Sequence, residues 1–505
     1  MSDRFVGTLS LAALLVGASA ALPGSADRLA AQFIPIRTVP VAVGDPPAPV
    51  LSPTRAMGEV TLAVDDSIAD AWTNPAKGVL LGESYVSTAP ALYGFSGREG
   101  GARTFPVTGV FRNETAFGGV SVAIQQLYDE VNRTFWPVVN DLALWAPNPW
   151  PSNRLDRLSR RNLFFSGFAG MRVGDGWALG VGMDAAALQG VEGVDRLYAN
   201  ADDVEQSGSS VGILVGAYRG GDGSRLGIVL GHHRISMEHV VSRSWVEWDS
   251  TFTQANWISE VETNQDRTRT WAGQVTYDRD LTAPGWRIGA SGTVNRKSHP
   301  KIPNYELQNI PRDPGTTWAW EGGVGVSRTV ERTSFAVDLA LQPIWSHTWQ
   351  EADGPTMAAD STIIPDGDMT IENHFFFTNA IIRTGFSHAT THGVTVRAGV
   401  EVRSYAYTLD QDDYVQGTRR KQTEGWMEWM PTLGADVALS DIEIGYSLRI
   451  TTGTGQPGLA GGGGGVVVMD ALAAGSDFVL APEGRLTLTE TTLLSHQFGI
   501  RVPIR

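Results

Sequence analysis

The sequence of 505 residues contains no cysteine. Its absence excludes disulfides, thiolate metal sites and a lipid-modified N-terminal cysteine. Exported proteins can lack cysteine, so the composition agrees with export without establishing it. After the N-terminus the sequence also lacks any run of about 20 apolar residues, which excludes membrane-spanning helices.

Basic residues are in the minority, with 39 Lys and Arg against 54 Asp and Glu, and the net charge is −15. Nucleic-acid phosphates require a basic protein surface, so this balance argues against a nucleic-acid partner. The chain is instead rich in glycine (58 residues) and tryptophan (16 residues). Glycine is common where strands are crowded, and tryptophan is enriched at membrane interfaces.

The N-terminus has the pattern of an exported protein. An apolar stretch from Phe5 to Leu22 follows Arg4, and small residues at 18–20 or 24–26 offer cleavage sites. This pattern predicts a secretory signal peptide over residues 1–26. An uncleaved anchoring helix is the alternative. The proline-rich segment 27–78 then favours extended conformations outside any sheet, and we assign residues 79–505 to the main domain.

Sixteen short stretches that alternate apolar and polar residues fill the chain from residue 79 to the C-terminus. In one of them, Phe335, Leu339 and Leu341 share a face, while Asp338 and Gln342 share the other. The connections are alternately short and long. This pattern predicts an all-β fold, an up-and-down antiparallel transmembrane β-barrel of the bacterial outer membrane. Stretches 79–87 and 105–112 are the weakest, so the prediction is 14–16 strands.

A soluble sandwich would also alternate, but two features favour a membrane barrel. The polar faces carry many small residues, and aromatic residues lie near the predicted strand ends, as in an aromatic girdle. Those aromatic residues are Trp177, Trp286, Trp318, Trp320, Trp345, Tyr405 and Tyr407. Short turns are expected at the periplasmic rim. Long external loops are expected at about 237–266, 346–373 and 409–427, among others.

A motif precedes the first predicted strand. It reads Met57-Gly58, then Ala63-Val64-Asp65-Asp66-Ser67, then Asn74-Pro75-Ala76. It resembles the start of barrels in the FadL/PorV superfamily, although Glu59 and Val60 replace the usual second glycine and alanine. The resemblance implies a fourteen-strand barrel whose N-terminal segment plugs the lumen. FadL-type members move long-chain fatty acids or other hydrophobic compounds, and PorV-type members hold or shuttle cargo of a secretion system.

A plug also has a physical reason, because a barrel of fourteen or more strands has a lumen that side chains alone do not fill. Acidic plug residues could form ion pairs with arginines of the lumen wall. The predicted plug residues are Asp65, Asp66, Asp70, Asn74 and Pro75. The predicted lumen residues are Arg287, Arg397, Glu401, Arg403, Glu443 and Arg449. In the alternative interpretation, Asp65 or Asp66 caps a short helical turn over 69–73.

The loop at 127–162 is unusually apolar for an external loop and is the predicted ligand-binding surface. Its candidate residues are Phe135, Trp136, Val139, Leu142 and Trp145. Packing of the loop on itself over the barrel mouth is the alternative. Adjacent strand residues such as Ser495 and His496, or His232 and His233, point to opposite faces. We therefore predict no catalytic residues, no metal site and no cofactor.

The sequence thus favours an outer-membrane channel or transporter for hydrophobic small molecules such as fatty acids. Its expected partners are outer-membrane lipid and a hydrophobic small-molecule ligand. Two alternatives stay open. One is a PorV-like structural or secretion-associated barrel that holds a secreted protein, and the other is a general porin for polar solutes.

Overall fold

The computed structural model describes residues 34–45, 47–96, 100–129, 158–191, 203–248, 255–299, 315–352, 354–460, 481 and 485–504. The predicted signal peptide at 1–26 lies outside these residues. So do the ligand-binding candidates Phe135, Trp136, Val139, Leu142 and Trp145. Among the described residues, none of the helices has the length and apolar character needed to cross a bilayer.

Most of the described chain is β-strand. The strands of one large sheet are β1 (Ser84–Thr88), β2 (Ala91–Phe95), β3 (Gly101–Arg112), β4 (Ala116–Asp129), β5 (Leu158–Gly174), β6 (Trp177–Leu188), β7 (Asp203–Gly221), β8 (Ser224–Trp248), β9 (Ala255–Asp266), β10 (Arg269–Asp280), β11 (Trp286–His299), β12 (Gly315–Val330), β13 (Thr333–Glu351), β16 (Met369–Ala389), β17 (Val394–Asp413), β18 (Thr418–Ala438), β19 (Glu443–Ala460) and β20 (Arg485–Ile504). Two short strands, β14 (Thr356–Met357) and β15 (Ile363–Ile364), pair with each other in a separate hairpin.

The large sheet closes into a barrel of sixteen strands. Strands β1 and β2 both pair with β20 and β3, so they are two parts of one strand, interrupted before Ala91. Pro90 stands at this break, where its missing N–H donor removes a ladder hydrogen bond. Strands β9 and β10 likewise both pair with β8. All neighbours are antiparallel, and the pairing of β20 with β1 and β2 closes the sheet. The predicted up-and-down antiparallel barrel is confirmed with sixteen strands, not the fourteen that the resemblance to the FadL/PorV superfamily implies.

The alternating faces also follow the sequence pattern. Leu341 is 65% exposed and Leu339 is 49% exposed, whereas Asp338 and Gln342 are buried inside the barrel. Large apolar side chains are exposed in the same way on nearly every strand. Such a continuous apolar outer surface requires lipid, and a closed barrel satisfies its backbone hydrogen bonds there. The chain is therefore a transmembrane β-barrel of the outer membrane.

The short connections lie at one rim, but two of the predicted long loops are largely strand. Residues 113–115, 222–223 and 331–332 form tight turns at the rim where the chain enters β1 and leaves β20. The predicted loop at 409–427 is instead mostly β17 and β18, and that at 237–266 is largely β8 and β9. Strand pairing continues beyond the apolar outer surface, where both faces carry polar residues and no apolar period marks the strand.

The aromatic girdle differs from the expectation at two residues. Trp318, Trp320 and Trp345 are exposed on the outer face, as an interfacial girdle requires. Tyr405 and Tyr407 are buried on the inner face of β17 instead. They share the parity of the inward-facing Glu401, so the period of two places them inside.

Residues 34–45 and 47–81 form the inner segment, which lies within the barrel. It contains a 3-10 helix at Pro53–Met57, helix α1 at Asp70–Thr73 and a second 3-10 helix at Pro75–Leu80. Proline begins each 3-10 helix, where its missing N–H is not needed. Gly58 ends the first in the left-handed conformation, with φ of 64°. The Asn74 side chain caps the second by accepting a hydrogen bond from the Ala76 N–H.

The outward orientation of Leu339 generates a prediction. We expect Leu339→Arg to destabilise the barrel in lipid vesicles by about 2–4 kcal/mol, because it places a charge near the middle of the apolar surface. Leu439→Arg, in the short turn after β18, is the matched control and is expected to change stability by about 0–1 kcal/mol. Urea titration of both variants in vesicles measures the difference. Equal losses would contradict the orientation.

Candidate functional site: the lumen and its inner segment

Residues 49–78 of the inner segment run once around the inner wall near the short-turn rim. Residues 49–58 contact β3, β20, β19, β18, β17 and β16 in turn, residues 61–65 contact β13, β12, β11 and β8, and residues 74–78 contact β8, β7, β6, β5 and β4. The path therefore passes along most of the barrel circumference. At this level the wall of the lumen is lined by the chain's own N-terminal residues.

Glycines of the barrel wall make room for this path, and we call them the glycine ring. A Cβ atom on any of them would lie less than 3.0 Å from the inner segment. Members of the ring are Gly180, Gly216, Gly289, Gly325, Gly385, Gly399, Gly434, Gly445 and Gly499. Because they are spread over β6 to β20, the wall is shaped for close backbone approach along the whole path.

An apolar cluster holds the last part of the inner segment against β3 to β7. The Trp72 ring meets the edge of Phe168 with centroids 4.8 Å apart. Ala71, Ala76 and Leu81 are buried in the same cluster. Burial of these side chains between the segment and the wall stabilises the docked position.

The predicted plug aspartates have three different environments. Asp65 accepts hydrogen bonds from Arg225 Nη1 at 2.8 Å and Arg287 Nη1 at 2.7 Å. Asp66 accepts from the backbone N–H groups of residues 68 and 69 and from two hydroxyl groups of the first 3-10 helix region. Asp70 forms an ion pair with Lys77 at 2.8 Å, within the inner segment. Only Asp65 therefore contacts a predicted lumen arginine. Asp66 stabilises the turn before α1, but the N-cap of α1 is Ala69, which has no side-chain cap hydrogen bond.

Asn74 and Pro75, the other predicted plug residues, lie against β6, β7 and β8. The Asn74 side-chain amide donates to the carbonyl oxygens of Ala217 and Ile228 at 3.4 and 3.5 Å. Pro75 packs against Gly180 and Gly182. The Asn-Pro pair therefore combines a helix cap with anchoring to the wall.

A second set of ion pairs anchors the earlier part of the inner segment. Arg449 of β19 contacts Asp45 at 3.3 Å and Glu59 at 2.8 Å. Arg55 contacts Asp45 at 2.5 Å and donates to Ser495 of β20 at 3.0 Å. Burial opposes ionisation of Asp45, but the guanidinium groups of Arg55 and Arg449 hold its pKa well below the usual range.

The remaining predicted lumen residues pair within the wall. Glu401 is buried and accepts from Arg383 Nε at 3.2 Å and Arg403 Nη2 at 2.7 Å. Nearer the short-turn rim, Arg397 is paired with Asp436, and Glu443 is paired with Arg501. Each of the six predicted lumen residues thus has an oppositely charged partner.

A cavity of about 500 Å³ lies between the inner segment and the wall. Its lining combines charged and apolar groups. The charged lining includes Arg55, Glu59, Arg383, Glu401, Arg403 and Arg449, and the apolar lining includes Val43, Leu127, Phe164, Leu188, Met430 and Leu493. The size and mixed lining suit a small amphipathic molecule.

The long-loop half of the lumen has an apolar wall. Phe375, Phe377, Ile344, Tyr407 and Leu409 are buried on the inner faces of β13, β16 and β17. Ile34 and Ile36 of the inner segment pack against them. Aromatic rings of this wall lie 5.4 to 6.0 Å apart.

Sequence reasoning missed Asp45, Arg225 and Arg383. Arg383 shares its parity with the inward-facing residues of β16, so alternation could have placed it in the lumen. Asp45 and Arg225 lie in a proline-rich stretch and beside a turn, where no periodic pattern exists. Asp45 is 404 residues from Arg449, and Arg225 is 160 residues from Asp65, so spacing in the sequence carries no signal for these pairs.

No protein-family model matches this chain, and no curated protein matches it significantly. Several solved structures are similar in fold. A Pseudomonas aeruginosa FadL homologue is 11% identical, with a TM-score of 0.45, over 94% of this chain and 99% of that chain. The Pseudomonas putida toluene transporter TodX is 10% identical, with a TM-score of 0.39, over 92% and 100%. The Escherichia coli ferric-catecholate receptor Fiu is 8% identical, with a TM-score of 0.38, over 83% and 82%. Similarities this weak assign no function to this chain.

Substitution in the glycine ring tests the seating of the inner segment. In Gly399→Val the added side chain overlaps the backbone of Met57 and Gly58. Overpacking of this kind typically costs about 1–3 kcal/mol, so amides 53–62 should exchange hydrogen about tenfold faster. Gly292→Val is the control, because open space surrounds a Cβ at that position. Hydrogen exchange followed by mass spectrometry gives both rates, and unchanged exchange in Gly399→Val would argue against the seating.

The lowered pKa of Asp45 makes the stability of the folded protein depend on pH. Because the pKa in the folded protein is below that in the unfolded chain, the stabilisation is complete above the ordinary value of about 3.9 and decreases as pH falls below it. We expect Asp45→Asn to lower the free energy of unfolding by about 1–3 kcal/mol at pH 7, and by the same amount at pH 5. The difference from the wild type should shrink at pH 3 and below. Urea titrations followed by tryptophan fluorescence check this, and a difference that already disappears by pH 5 would contradict it.

Proposed function

We propose that this protein is an outer-membrane channel for hydrophobic small molecules that carry a polar end, such as fatty acids, and that the inner segment is its plug. The observation that carries the proposal is the apolar, aromatic wall in the long-loop half of the lumen. A porin for polar solutes has a polar, water-filled interior. An apolar inner wall, covered here by Ile34 and Ile36, would instead offer a landing surface to a hydrophobic molecule once these two residues move aside.

The ligand chemistry follows from the lining of the cavity. The cavity has apolar side chains for a hydrocarbon and arginines for an anionic group. Arg403 and Arg449 border the cavity, and guanidinium groups bind carboxylates well. A carboxylate could compete with Glu401 or Asp45 for these arginines. A molecule with an alkyl or aryl part and a terminal carboxylate therefore suits both kinds of lining.

The proposed plug role rests on the path of the inner segment. Residues 49–78 follow the wall at the short-turn half, where they fill the space left by the glycine ring. Passage to the periplasmic side would require the segment to move. Its anchors are ion pairs and tight backbone contacts, which a local displacement can break without opening the barrel.

Two variants test the channel and plug together. Removal of residues 56–76 and the point substitution Gly399→Val should both raise single-channel conductance in planar bilayers over the wild type. If the deletion variant fails to fold, Gly399→Val provides the test on its own. Gly292→Val is its matched control. Lipid extracted from the purified wild type should contain an amphipathic small molecule by mass spectrometry.

The alternatives give different results in these experiments and in a pull-down with the purified protein. A large, ungated conductance in the wild type would indicate a general porin. Stoichiometric recovery of an exported protein with no small-molecule cargo would indicate a PorV-like barrel. Unchanged conductance in both plug variants would overturn the plug.

A further inference from the structure

Three potential metal ligands meet on the outer face of the barrel. Within the part of the chain that the structure describes, His347, Glu372 and His374 form the group whose ligand atoms all lie within 4.8 Å of one another. His347 is on β13, and the other two are on β16. The chain's charged lumen and the proposed channel do not involve them, because all three point outward.

The antiparallel register creates this group. His347 and His374 are direct cross-strand partners, and their rings stack with centroids 4.5 Å apart at an angle of 3°. Glu372 is two residues before His374, so it is on the same face of β16. Its Oε1 lies 2.8 Å from His347 Nε2 and 3.2 Å from His374 Nε2.

A fourth residue holds the carboxylate in place. The Tyr414 hydroxyl donates to the other Glu372 oxygen, Oε2, at 2.7 Å. Metal-ligating carboxylates are commonly oriented by such a hydrogen bond from a neighbouring group. Oε1 is thereby left to face the two imidazoles.

The location gives the site access to aqueous ions. The neighbouring outward positions hold Trp345 and Phe376, whose rings are 5.5 Å apart in the aromatic girdle. The cluster is on the long-loop side of this pair, beyond the apolar surface. The side chain of His374 is 54% exposed and that of His347 is 37% exposed.

We propose that His347, Glu372 and His374 bind a divalent transition-metal ion of the Zn²⁺ type. Two imidazole nitrogens and one carboxylate oxygen form a known zinc ligand set, with one coordination position left for water or another ligand. Ligand atoms around a tetrahedral zinc ion are about 3.3 Å apart, as follows from bond lengths of about 2.0–2.1 Å. The two carboxylate–imidazole distances of 2.8 and 3.2 Å are close to this value, and the two imidazole ligand atoms lie within 4.8 Å of each other. Hard ions such as Mg²⁺ and Ca²⁺ prefer oxygen-only sites and are not expected to bind.

The test uses the full-length protein in detergent, without a histidine tag, titrated with ZnCl₂ by isothermal calorimetry. We expect one saturable site in the wild type. His374→Ala should abolish it, and Tyr414→Phe, which removes the positioning hydroxyl, should weaken it about tenfold. His392→Ala, an exposed histidine in the turn before β17, is the matched control and should leave binding unchanged. Added MgCl₂ should produce no binding heat.

A spectroscopic measurement detects metal coordination directly, so a change in the stability of a variant does not affect the conclusion. Co²⁺ bound by two histidines and a carboxylate has visible absorption bands, which should appear in the wild type and in His392→Ala but not in His347→Ala. Absence of saturable Zn²⁺ binding in the wild type would overturn the proposal. Equal loss of binding in His374→Ala and His392→Ala would overturn it as well. Failure here leaves the channel proposal untouched, because the site is outside the lumen.

Discussion

Closure of the backbone hydrogen-bond network is the constraint on which the rest of the structure depends. In hydrocarbon an unpaired strand edge is very costly, so β20 must pair with β1 and β2. Closure separates the chain into an outer face in lipid and an inner face around a lumen. The alternation of residues such as Leu339 and Asp338 follows directly from that separation.

The inner face presents the opposite problem, because a sixteen-strand cylinder is too wide for its own side chains to fill. The inner segment occupies part of this lumen. Both shape and charge hold the segment in place. The glycine ring leaves room for its backbone, and Arg449, Arg287 and Arg225 form ion pairs with its carboxylates. Buried charges of this kind are tolerated only when paired, and the lumen residues described above have partners.

Much of the barrel could be predicted from the sequence, because lipid on one side imposes a period of two. The inward position of Tyr405 follows from its parity with Glu401, whereas its aromatic character alone predicts a place in the girdle. The strand extensions beyond the membrane were missed because polar residues on both faces leave no period. The contacts of Asp65 with Arg287, and of His347 with His374, depend on register and on a path through the lumen, which no local pattern records. Inward-facing glycines such as Gly399 indicate that another part of the backbone approaches closely, but they do not identify which segment it is.

The contacts of the inner segment also constrain the order in which the molecule can assemble. Arg55 and Ser495 touch although 440 residues separate them, and Asp45 and Arg449 are 404 residues apart. The segment is synthesised before the barrel strands. Residues 74–78 contact β4 to β8, whereas residues 49–58 contact β16 to β20, which are synthesised last. The contacts of residues 49–58 can therefore form only after the final strands have been made.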